Sequence, residues 1–180
     1  MNKKLLIVIF IVLSLVAGCT SLPTPSSSED TLGVFYLINE IESQYTGDGY
    51  LIPINYHFII SSMNTNEEVK VVELPYNADF ALIKNLDAGA YYVSAFYSQL
   101  ESGEKGEPYP LNKEYCQFTL NPGQLTVVPK AFGTVVFEDG GDTYFKIQAY
   151  DLPPELVRSV TVSLLEDKYP EEMAVWTIAE

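Results

Sequence analysis

Phe80 to Phe96 reads FALIKNLDAGAYYVSAF. Apolar residues alternate on both sides of a short polar link, with Phe80 and Leu82 before it and Tyr91, Val93 and Ala95 after it. A period of two puts alternate side chains on one face of a strand. Asp87-Ala88-Gly89 has the residue types of a tight turn, because Asp and Gly tolerate the backbone angles that turns require. The stretch reads as two strands joined by a turn. On this alternation Tyr92 and Phe96 share the face opposite Tyr91, Val93 and Ala95.

The same signature spreads outward in both directions. Gly33 to Ile41 reads as a first strand, followed by a turn over Tyr45-Thr46-Gly47-Asp48-Gly49. Leu51 to Ser61 is a second strand, with Pro53 marking an edge or bulge at its start. Val69 to Leu74 and Asp79 to Leu86 lead into Ala90 to Ser98. Beyond the polar loop Glu101 to Pro110 come Tyr115 to Leu120, Leu125 to Lys130, Thr134 to Glu138 and Thr143 to Tyr150. Asn121-Pro122-Gly123 and Asp139-Gly140-Gly141-Asp142 have hairpin chemistry. Short strands at this spacing predict a mainly β protein, a β-sandwich over residues 31–180. The chain then changes character. Pro153 and Pro154 suit a first helical turn, and Leu156, Val157, Val160, Leu164 and Leu165 recur at helical spacing. Pro154 to Lys168 is expected to form a helix on the sandwich, with a strand over Ser159 to Leu165 as the rival. Met173 to Ile178, which holds the only Trp, closes the domain as a strand or packed segment.

The central stretch also resembles the core hairpin of transthyretin-like, or carboxypeptidase regulatory-like, β-sandwich domains. In those domains an F-x-x-L strand end meets P-G-x-Y-x-V. Ile83 and Leu86 take the first two places here, and Gly89, Tyr91 and Val93 match the second half. The resemblance covers about 17 residues and implies an Ig-like or transthyretin-like antiparallel sandwich. It implies no activity, because such folds host many functions.

The N-terminus decides where the domain would work. Lys3 and Lys4 precede the apolar run Leu5 to Leu13, and small residues follow. This is the layout of a secretory signal. Counted on through Ala17, the stretch of about 13 residues would span roughly 20 Å as a helix, short of the ~30 Å hydrocarbon core. Val16-Ala17-Gly18-Cys19 resembles the lipobox of bacterial lipoproteins. The resemblance implies cleavage between Gly18 and Cys19, diacylglycerol on the Cys19 thiol and acylation of the new amine. Residues 1–18 would be the signal peptide. Residues 19–30, rich in Pro and Ser, are expected to form a flexible tether. Thr20 follows the cysteine where an inner-membrane retention signal would have Asp. The resemblance therefore implies the outer membrane of a diderm cell, or the outer face of the plasma membrane of a monoderm cell.

All 24 acidic residues but only eight of the ten basic ones lie from Cys19 onward, so the mature chain carries a net charge of −16. Such a surface repels nucleic-acid phosphates, and no nucleic-acid partner is expected. Beyond Cys19 only Cys116 remains, so no internal disulfide can form. Cys116 alternates with Phe118 and Leu120, which predicts a buried, unreactive thiol.

Constellations that carry chemistry are sparse. His57 and Arg158 are the only residues of their types. One imidazole is too little for the usual zinc or copper site, and His57 is expected to be a strand histidine with one ring nitrogen bonded. Glu138-Asp139-Gly140-Gly141-Asp142 offers oxygens but lacks the spacing of a calcium loop. No nucleophile elbow, P-loop or metalloprotease motif is present. No catalytic residue, metal or cofactor is expected. The thirteen tyrosines are the notable excess. Tyr92, Phe96 and Tyr97 are the candidate binding surface, an aromatic patch that either faces a partner or lies under the C-terminal helix. The expected function is a membrane-anchored, non-catalytic binding module for an envelope protein or glycan. An accessory subunit of an envelope complex is the alternative, and a carboxylate-dependent surface hydrolase is the third.

Overall fold

The computed structural model describes residues 22–27, 29–38, 54–75, 78–100, 102–139, 142–161 and 165–179. Its strands are β1 (Leu32–Ile38), β2 (Ile54–Ser62), β3 (Glu68–Leu74), β4 (Phe80–Ile83) and β5 (Gly89–Leu100). They continue with β6 (Tyr109–Pro110), β7 (Gln117–Leu120), β8 (Gln124–Asp139), β9 (Asp142–Asp151) and β10 (Thr177–Ile178). Helices α1 (Pro154–Thr161) and α2 (Pro170–Met173) lie between β9 and β10. The strands form two five-stranded sheets. One runs β10-β8-β1-β4 with β9 beside β8, and the other runs β3-β2-β5-β6 with β7 beside β5. The protein is thus mainly β with two stacked, open sheets, as the strand spacing predicts. Most pairings are antiparallel, but β8 runs parallel to both β1 and β10.

Two apolar layers hold this arrangement. The first lies between the sheets and includes Phe35, Phe58, Ile60, Ile83, Val93, Phe118 and Phe132. Phe58 and Phe132 meet with ring centroids 4.4 Å apart, and Phe35 stacks on Phe58 at 5.3 Å. The second layer covers the outer face of the β1 sheet. There Leu32, Val34, Tyr36 and Leu125 pack against Leu22, Leu152, Leu165, Met173 and Trp176. From Leu32 to Tyr36, β1 is therefore buried on both faces. That explains why its sequence, LGVFYLI, is a continuous apolar run rather than an alternation. At Gly33 the backbone crosses Ile83 so closely that a Cβ would lie 2.8 Å from the Ile83 Cδ1.

Several expectations need correction. The link Lys84 to Ala88 does not close a hairpin. β4 pairs with β1 and β5 pairs with β2, so the link carries the chain from one sheet to the other. Asn85, at φ 59°, makes the bend, and the Tyr91 hydroxyl donates to the Asp87 carbonyl at 2.8 Å. Asn121-Pro122-Gly123 likewise joins β7 of one sheet to β8 of the other. The hairpin after β8 is present as expected, with Asp139 paired to Asp142. The two strands expected over 125–138 are one 16-residue strand, β8. Its register against β1 breaks between the Val34–Val127 and Tyr36–Ala131 pairs, where Pro129 lies.

The expected C-terminal helix is present over Pro154–Thr161; residues 162–164 lie outside the described residues, and the backbone is helical again at Leu165 and Glu166. The helix does not cover Tyr92 or Phe96. It packs on the other sheet, where Val157 joins the second layer and Tyr36 donates to the buried Thr161 hydroxyl at 3.0 Å. The segment after it forms α2 and β10, and Met173 and Trp176 pack into the second layer, in keeping with a strand or packed segment over Met173 to Ile178. The tether also ends earlier than residue 30. Leu22 is 2% exposed within the second layer. The Trp176 indole N–H donates to the Pro23 carbonyl at 2.8 Å. The Asp30 carboxylate accepts from the backbone N–H groups of Ser26 and Ser27. Pro and Ser need not mean flexibility when a flanking Leu can enter a core. The first turn, Tyr45 to Gly49, and Pro53 lie outside the described residues.

Candidate functional site

The three aromatic candidates do not form one patch. β5 pairs with β2 as Ile59↔Ala95 and then Ile60↔Val93, which leaves Ser94 as an extra residue. This β-bulge shifts the alternation by one. Tyr92, opposite Ser61, stays on the outer face of the sheet, whereas Phe96, opposite Phe58, turns inward. Ser94 can hold this position because its polar groups are used. Its hydroxyl donates to the Ile59 carbonyl at 3.2 Å, and its carbonyl accepts from the Leu111 N–H at 2.8 Å.

Each aromatic then has its own environment. Tyr92 is 8% exposed, with the Lys113 ammonium 5.2 Å above its ring. Lys113 is held there by the Met63 carbonyl and the Asn66 side chain. Phe96 packs against the core beneath Tyr109. Tyr97, half-buried, stacks nearly parallel on His57 at 4.7 Å, with Lys105 5.7 Å from its ring. Among the described residues His57 Nε2 is buried without a hydrogen-bond partner. Cys116 is buried as expected, and burial pushes its thiol up to about 12. Gly18 and Cys19 lie outside the described residues, as do the side chains of Glu138 to Asp142. Among the described residues no group of three or more His, Cys, Asp or Glu gathers as a metal site, and no helix is long and apolar enough to cross a membrane.

A concave feature lies elsewhere. A cleft of about 840 Å³ opens between the β7–β8 edge and the C-terminal segment. Phe118, Val127, Leu152, Val157, Trp176 and Ile178 give it apolar walls, and Gln117, Thr119, Asn121 and Glu166 add polar groups. The Thr126 hydroxyl donates to the Thr119 carbonyl at 2.9 Å and ties the two strands at the cleft. Its volume falls within the range of small-ligand clefts. A second, more polar cleft of about 600 Å³ lies on the other side of Trp176, between Pro23–Thr31 and Lys84–Ala88. The first cleft was not legible in the sequence. Its walls come from residues as distant as 117 and 179, and only the single Trp hinted at it. Compared with protein-family models, curated proteins and solved structures, the chain matches none.

Proposed function

We propose that this chain is an extracytoplasmic lipoprotein and that its β-sandwich is a non-catalytic binding module for a protein or envelope component. Acyl chains on Cys19 hold it to the outer membrane of a diderm cell or the outer face of a monoderm plasma membrane. The observation that carries the binding reading is the 840 Å³ cleft. Its walls favour an apolar group, and the net charge of −16 on the mature chain disfavours an anionic one. The occupant is therefore a neutral, largely apolar portion of an envelope molecule or protein.

The anchor is tested by Cys19→Ser, which abolishes lipid attachment; persistence of the same acylated form refutes it. The cleft is tested with the neutral fluorophore N-phenyl-1-naphthylamine. Trp176, the single Trp, lines the cleft and is the energy donor. Transfer is expected to saturate with added probe. Thr119→Arg, on an exposed wall position, is expected to weaken binding about tenfold or more, or about 1.4 kcal/mol. Transfer that never saturates, or that Thr119→Arg leaves unchanged, refutes the site.

A further inference from the structure

The length of chain between the proposed anchor and the first buried residue is short. Leu22 is in the second apolar layer, and Pro23 is bonded to Trp176. Only Thr20 and Ser21 separate Cys19 from Leu22. At 3.3–3.6 Å per residue, three steps reach at most about 11 Å. A free tether over residues 20–30 would instead reach roughly 36–40 Å. The packed N-terminal segment removes most of that reach.

We infer that the domain sits directly on the bilayer that holds its acyl chains, with the pole around Leu22, Trp176 and the C-terminal segment facing the lipid. This rests on lipidation of Cys19. Val175, next to the Trp, is apolar and 52% exposed at that pole. Trp176 borders both clefts, so both lie at the membrane-proximal end. An occupant of the 840 Å³ cleft would then arrive from the lipid surface. The lipid partner is zwitterionic rather than anionic, because Glu29, Asp30 and Asp87 line the neighbouring cleft with only Lys84 to offset them.

The test uses the full-length acylated protein in phosphatidylcholine vesicles that contain a dansyl-headgroup lipid. Energy transfer from Trp176 to dansyl reads the height of this pole above the bilayer. The comparison is a variant with about ten Gly/Ser residues inserted between Ser21 and Leu22, which adds a coil of about 17 Å root-mean-square span. Mass spectrometry establishes acylation of both proteins. The expected result is strong transfer in the native chain that falls by about half or more in the spacer variant. Equal transfer in two acylated proteins overturns the docked pole and leaves the lipoprotein reading intact. A native chain without acyl groups overturns both.

Discussion

Leu22→Ala puts the N-terminal boundary of the fold to a direct test. Leu22 is 2% exposed and packs in the layer that contains Trp176, Met173 and Leu165. The substitution removes three carbons, worth about 2.4 kcal/mol at about 0.8 kcal/mol per buried methylene. A cavity left behind would raise this toward the ~5 kcal/mol end of Leu→Ala changes. A segment at the start of the domain can settle into part of the void, so about 2–3 kcal/mol is expected. For a chain of this size that corresponds to a Tm lower by about 5–10 °C. The assay is urea unfolding of the mature chain carrying Cys19→Ser, followed by Trp176 fluorescence. Thr24→Ala, at an exposed position two residues on, is the control and should change stability by no more than about 0.5 kcal/mol. If Leu22→Ala matches the control, Leu22 is part of a tether and the short-anchor inference falls with it.

Gly33→Ala should cost about 1–3 kcal/mol, because the new Cβ would lie 2.8 Å from the Ile83 Cδ1 and 3.0 Å from its Cβ. Adding Ile83→Val should recover part of that loss, and simple additivity of the two changes would refute the contact. Stability should fall as pH rises from 9 toward 12. Burial raises Cys116 from 9.0 and Tyr36 from 10.0, each to about 12, so the unfolded chain ionises first. Below pH 9 neither group contributes a slope. A urea midpoint that is flat between pH 9 and 11 would sink this prediction. The Cys116 thiol should likewise resist alkylation at pH 8 until the protein unfolds. By contrast, Lys168→Ala should shift stability by at most about 1 kcal/mol, because the Lys168–Asp79 pair at 2.7 Å is largely solvated. A larger loss in thermal unfolding would mean that Lys168 also packs through its stem.

Period-two patterning located most strands within a few residues, since the pleat alone dictates which side chains share a face. It failed where the backbone departs from the regular pleat. Ser94 is an ordinary strand residue in sequence, yet the bulge there sends Phe96 to the core and leaves Tyr92 and Tyr97 outside. The signal for the bulge is in the neighbours, Ile59 and Leu111, which satisfy its polar groups from distant parts of the chain. The helical spacing after Pro154 was legible too, and contacts from the sheet add to it. Thr161 is fixed by Tyr36 from β1 as well as by its own helix, through the Val157 carbonyl.

The sequence by itself determined the β class, the buried and unpaired Cys116, the Asp139–Asp142 hairpin, and β1 as a strand. These follow from local alternation, cysteine count and turn chemistry. Only the tertiary structure decided which sheet each strand joins. The links Lys84–Ala88 and Asn121–Gly123 look like hairpin turns, but a turn residue sets a bend and not the partner beyond it. The same limit applies at Leu22. Its neighbours Pro23, Pro25 and Ser26 suit a flexible spacer, and nothing local distinguishes a spacer from a packed segment. The difference lies in an apolar slot built by Leu32, Leu125, Met173 and Trp176, residues up to 154 positions away, which exists only once β1, β8 and the C-terminal segment have come together.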